Sequence, residues 1–191
     1  MIIHVTGQTK ERSDTEEVRN VLQQFQNGYK ERNIEKLDEF VSLFVQHEDS
    51  ELIGIGAFER GGIEWFEGVD KIREIIQSDW EYWGDVVIDV EGAKISVKGD
   101  VAWMTTTGTL EQTDTFDKAL PQYLDQMKMI IEDKDKDADE KLLEASHFGV
   151  RRLRERLKGK GYRWPFVISA ILVREEKQWR FHMIHWSMPV D

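Results

Sequence analysis

The amino-acid sequence predicts an α+β domain. Apolar residues recur at helical spacing through most of the first half, and two pairs of long alternating strands follow. A chain of 191 residues suffices for one sizeable core and is short for two ordinary domains. The predicted order is helix, helix, two strands, helix, then four long antiparallel strands, with a helical insertion between the two long hairpins.

Residues 1–13 show no clear period and read as a tail or a stray edge strand. The first helix starts at a capping box, Ser13 with Glu16 or Asp14 with Glu17. It carries Val18, Val21, Leu22, Phe25 and Tyr29 at helical spacing. Asn33 caps a second helix, with Ile34, Leu37, Val41 and Phe44 on its apolar face. Leu52–Phe58 alternates as a strand, with Gly54 and Gly56 opposite Ile53, Ile55 and Ala57; glycine there marks a bend or a close approach. Gly61-Gly62 turns the chain into a second strand, 63–67. Gly68 leads to a third helix, started by Asp70, with Ile72, Ile75, Ile76 and Trp83 along it. Residues 86–97 and 101–112 pair through Lys98-Gly99-Asp100, and 164–174 pair with 178–188 around Glu175-Glu176-Lys177.

The segment 114–163 sits where a short loop would suffice. Helices are predicted near 117–132 and 138–158. Leu143, Val150 and Leu157 recur every seven residues, beside Leu142 and Leu153, and such a stripe must cover something apolar. The turn Glu132–Glu140 holds six acids and two lysines, while Arg151–Lys160 holds six bases and one acid. These runs read as a solvated surface, or as a complementary pair within the insertion or across a dimer.

The chain has no Cys, which excludes disulfides, cysteine zinc sites and a thiol nucleophile, and suits a reducing compartment. Met1–Lys10 lacks the apolar core of a signal peptide, and no stretch approaches the roughly 20 apolar residues of a membrane span. A cytoplasmic location is expected. A net charge of −11 argues against nucleic acid and membranes as partners. Gly54-x-Gly56 lacks the third glycine and the following helix of a phosphate loop. Ser169 and Ser187 have no nucleophile-elbow context. Glu144 and His147 make a single Glu-x-x-His unit, where a di-iron helix site needs two; no metal and no cofactor are expected.

Four stretches, in order, resemble the SnoaL-like domains of the NTF2-like superfamily. They are Leu43-Phe44 with Glu51–Gly56; Trp65-Phe66-Glu67-Gly68-Val69-Asp70-Lys71-Ile72; Gly99-Asp100-Val101-Ala102-Trp103; and Trp179–Ser187, with its His185 two residues before Ser187. Together they span about three quarters of the chain; no single motif is specific, and the ordered set carries the likeness. The resemblance implies an NTF2-like, cystatin-like cone, with three helices packed on a strongly curved antiparallel sheet. It also implies an open end that often binds a ligand, and homodimers formed through the outer face of the sheet. Some members are isomerases, cyclases or dehydratases, and others only bind or assemble. The insertion 114–163 departs from the family's minimal pattern.

Strand alternation puts Phe181, Met183, His185 and Ser187 on one face, with His182, Ile184 and Trp186 on the other. By analogy the His185 face lines the cone, where a neutral imidazole serves as general base or orients a ligand carbonyl. The plainer alternative is a structural histidine bonded to Ser187 or the backbone. Trp65, Trp103 and Trp164 are candidate pocket walls, with Met183, Ser187 and Tyr29 as further ligand contacts for a small apolar molecule. Trp80, Trp83 and Trp186 suit packing or a dimer face. The isomerase pattern of an acid on the first strand and a Tyr late in the first helix is not reproduced. Leu52–Phe58 has no acid, with Asp49, Glu51 and Glu59 only nearby, and Phe25 lies nearer the Tyr position than Tyr29 does. Asp89 is an alternative acid from another strand. The first expectation is a homodimeric domain with a small-molecule pocket, suited to proton transfer or hydration–dehydration on an apolar substrate; the rival is an association module without chemistry.

Overall fold

The computed structural model describes residues 4–57, 59–62, 64–113 and 116–189. The predicted strand ends at Phe58 and Ile63, the first three residues of the tail and the first two of the insertion lie outside that set. The chain divides into two compact units, Met1–Leu110 with Trp164–Asp191, and Glu111–Arg163.

In the first unit, α1 runs His4–Glu31, so the expected tail continues the helix. Once a helix is nucleated, each further residue adds a bond at little cost, and Lys10, Glu11 and Arg12 are good helix formers without an apolar face. The proposed capping residues therefore lie inside the helix. Ser13 donates to Glu17, and Asp14 is buried in an ion pair with Arg174. Asn33 does cap, accepting from the Glu35 N–H at 3.0 Å, but the turn it starts is a 3-10 turn, Ile34–Lys36. The α2 helix follows at Leu37–Val41.

Strand β1 is only Glu51–Ile53 and β2 is Trp65–Glu67. The strand stops at Gly54 because the chain wraps the Glu64 carboxylate, which accepts from the Gly56 N–H at 2.6 Å. A Cβ on Gly54 would lie 2.7 Å from that carboxylate, so the close approach needs glycine. After Gly68, held at φ 81°, α3 spans Val69–Tyr82. The long strand expected over 86–97 is two: β3, Asp85–Ile88, and β4, Lys94–Lys98. Between them the Asp89 carboxylate accepts from the Gly92 N–H at 2.9 Å and closes a turn.

Strands β5, Val101–Glu111, β6, Arg163–Glu175, and β7, Gln178–Ser187, complete the sheet. Its order is β2-β1-β7-β6-β5-β3, with β4 also on β5. Described pairings are antiparallel except β1 with β7, which is parallel. Both hairpin turns have two residues. Gly99 supplies the positive φ in the first, and Glu176 and Lys177 (φ 48° and 71°) supply it twice in the second.

The helices cover one sheet face. Gln26 of α1 donates to the Val86 carbonyl at 3.1 Å and accepts from the Ile88 N–H, which ties the helix to β3. Arg19 donates to the carbonyls of Glu91 and Ala93. Between layers lies an aromatic core. The Phe25 ring stands 5.1–6.2 Å from Tyr29, Phe40, Phe44, Phe181 and Trp186.

The second unit is a helical hairpin of α4, Phe116–Glu132, and α5, Ala138–Lys158. Asp137 and Glu140 form a reciprocal capping box at the start of α5. The helices meet through Tyr123 and Phe148, with the Arg152 guanidinium 4.3 Å over the Tyr123 ring. Tyr123 also donates to Glu155 at 3.0 Å. The stripe expected to pack is exposed instead: Leu143 61%, Val150 59%, Leu157 84%.

Candidate functional site

A β-bulge decides where the terminal motif points. In the β6–β7 register Leu172 faces Phe181 but Ile171 faces Met183, so His182 is an extra residue and the alternation changes phase there. Phe181 is fully buried, as are Ile184 and Trp186, whereas His185 and Ser187 are exposed. The expectation that Phe181, Met183, His185 and Ser187 share the cone-lining face is therefore corrected. His185 lies on the outer face of the sheet, and Trp186 takes the interior place.

That outer face gathers most of the nominated residues. Trp65 of β2, Ile53 of β1, His185 of β7 and Ser169 of β6 form one transverse row. Glu67, Glu51, Met183 and Ile171 form the next, and Ser187 lies opposite Val167. Trp103 is 48% exposed on the outward side of β5. The Trp65 indole donates to Glu51 at 3.2 Å, and Arg60 bridges Glu67 at 2.7 Å. Glu51, the acid nearest the isomerase position, is thus occupied outside the cone. Trp164 differs from the other two indoles, since it packs against the core cluster. The three do not line one pocket.

Tyr29 and Asp79 form a polar pair against the aromatic core. Tyr29 is 1% exposed, and its hydroxyl donates to Asp79 of α3 at 2.9 Å. Burial pushes the phenol pKa well above its usual value, and the Asp79 charge and hydrogen bond push it further. Rings of Phe40, Trp83 and Trp186 surround it at 5.9–6.2 Å. Asp79 and Trp83 are half-buried, and the Trp83 ring stands edge-on to Tyr29. Asp79 was missed in the sequence because its partner comes from a helix 50 residues away. The alternative acid Asp89 is exposed in its turn.

A surface cleft of about 190 Å³ opens between α1 and α2, floored by Phe40 and Trp80 and rimmed by Gln24, Asn27, Glu31 and Lys36. It is smaller than the roughly 300–1,000 Å³ of ordinary ligand pockets. In the second unit, Glu144 is buried and paired with Lys136, while His147 faces outward. Among the described residues no group of three His, Asp or Glu side chains has a metal-holding arrangement. No described helix is long and apolar enough to cross a membrane.

Several solved structures share this fold. An NTF2-like protein with a cystatin-like fold from Novosphingobium aromaticivorans aligns over 100% of this chain and 91% of its own, at TM-score 0.59 and 11% identity. An NTF2-like superfamily protein from Salmonella enterica aligns over 94% of each chain, at TM-score 0.58 and 10% identity. A candidate dehydratase of the NTF2-like family from Streptomyces avermitilis aligns over 95% and 99%, at TM-score 0.56 and 12% identity. At such identities the likeness establishes the fold alone. No curated protein matches the chain. The SnoaL-like domain model matches residues 18–133, more than half of the chain. The chain belongs to the SnoaL-like domain family, with the α+β architecture of the NTF2-like, cystatin-like folds.

Proposed function

We propose that this domain acts by association, using the outer face of its sheet to pair with a second copy. One observation carries the reading: aromatic side chains fill the space between helices and sheet, while Trp65, Trp103, Met183 and His185 lie outside it. A half-exposed face with two indoles and the apolar side chains of Ile53, Val167, Ile171 and Met183 suits a partner surface better than a solvated one. A candidate calcium/calmodulin-dependent protein kinase II association domain from Xanthomonas campestris aligns over 92% of this chain at TM-score 0.51, which is consistent with such a role. The role fits a cysteine-free acidic protein of the cytoplasm. Light scattering at micromolar concentration tests the reading. A particle heavier than the 22.5 kDa chain is expected, and a single 22.5 kDa species contradicts it.

The Tyr29–Asp79 pair favours a second reading, a site for a small apolar ligand bearing a carbonyl or hydroxyl group. In such a pair the carboxylate can accept and return a proton, while the phenol stays protonated as a hydrogen-bond donor. A screen of small carbonyl compounds and hydroxylated aromatics by Trp fluorescence tests it. Ligands lost in both Tyr29→Phe and Asp79→Asn support this reading, and equal binding by all three proteins refutes it.

A further inference from the structure

The second unit presents an apolar face that its own hairpin does not use. The α4–α5 seam is made by Tyr123, Phe148, Arg152 and Glu155, with Gly149 beside Met127. The opposite side of α5 carries Leu142, Leu143, Val150, Leu153 and Leu157, each more than half exposed. Leu143, Val150 and Leu157 are seven residues apart, and Leu153 follows Val150 by three. This is the spacing of a two-stranded helical seam. At 21 residues α5 is about 31 Å long, so the stripe runs most of its length.

The charges indicate what covers it. The segment leading into α5 is acidic, with Glu132, Asp135, Asp137, Asp139 and Glu140 exposed. Its last turn and the residues just after it are basic, with Arg156, Lys158 and Lys160 exposed. Glu155, the one acid of the basic end, is taken up by Arg151, Arg152 and Tyr123. A helix acidic at one end and basic at the other is complementary to itself when inverted. We propose that α5 pairs antiparallel with α5 of a second copy, about a twofold axis through Val150. That register sets Leu143 of one copy against Leu157 of the other and Val150 against Val150. It also brings the acidic start of α5 in one copy to the basic end of α5 in the other. A parallel pair would set acid against acid. Such an isologous contact closes on itself. It lies on a different unit from the sheet face and does not depend on pairing there.

The test uses the full chain carrying Trp103→Glu, which disables the outer sheet face so that the two pairings are read separately. Sedimentation at micromolar concentrations should show a dimer. Adding Val150→Asp, at an exposed position, should weaken it by about 10- to 100-fold with helix content unchanged, the usual effect of a charge in an apolar contact. A second pair of variants tests the direction. Arg156→Glu with Lys158→Glu and Lys160→Glu makes both ends net acidic, and Glu132→Lys with Asp135→Lys and Asp139→Lys makes both net basic. Each alone should be monomeric, and their mixture should restore the dimer. A Trp103→Glu chain that stays monomeric, a dimer indifferent to Val150→Asp, or a mixture that fails to associate would each overturn the proposal. A loss of melting temperature in monomeric Val150→Asp would show that the stripe packs within its own chain, and would overturn it too.

Discussion

Removing one oxygen tests the buried Tyr29–Asp79 pair. Tyr29→Phe keeps the ring that packs against Phe25, Phe40, Trp83 and Trp186 and deletes the hydroxyl that bonds Asp79. A hydrogen bond to a charged group contributes about 1.5–3 kcal/mol. Asp79 is half-buried and has further interactions, so the loss at neutral pH should lie near the lower end, about 1.5 kcal/mol. The pH dependence has a definite sign. The folded-state pKa of Tyr29 is raised, so the folded chain keeps a proton that the unfolded chain releases above about pH 10. The contribution of Tyr29 is therefore complete below about pH 10 and lost as pH rises beyond it, by roughly 1.4 kcal/mol per pH unit. Urea unfolding followed by Trp fluorescence should show wild type above the variant at neutral pH, with the gap closing between about pH 10 and 11. The other tyrosines titrate in both proteins and cancel in the difference. Parallel stability curves across that range would refute the buried, hydrogen-bonded phenol.

Two further substitutions probe the core and the corrected motif. Gly28→Ala should destabilise, although helix propensity alone favours Ala by about 1 kcal/mol, because the added Cβ would lie 2.1 Å from the Phe40 ring. Overpacking of that kind costs about 1–3 kcal/mol, and a raised melting temperature would show that the ring has room to move. His185→Phe should leave stability within about 0.5 kcal/mol of wild type, as expected for an exposed residue, and act only on association. A large loss on thermal melting would place the imidazole in the core after all.

Much of the fold was legible because periodicity reports burial directly. Val18, Leu22, Phe25 and Tyr29 are all core, and the insertion helices begin and end within a residue or so of their sequence limits. The site was less legible because one inserted residue reverses every later side chain. The signal was present: Trp179 and Phe181 are apolar at odd positions, Ile184 and Trp186 at even ones, and that change of phase marks a bulge. The strand ended at Gly54 for a reason no local pattern contains, the return of Glu64 across the turn. The α5 stripe was read correctly as apolar, but periodicity does not say whether its cover comes from the same chain or from another.

The outer sheet face is tested most directly by sedimentation equilibrium of the Val150→Asp chain, where pairing through α5 is disabled, with and without Trp103→Glu. Trp103 is 48% exposed, so its replacement should cost the folded chain about 0.5 kcal/mol or less. Sheet-face association predicts a particle of twice 22.5 kDa for Val150→Asp, falling to one chain when Trp103→Glu is added. A Val150→Asp chain that sediments at 22.5 kDa at every concentration would contradict it, and so would a dimer that Trp103→Glu leaves intact.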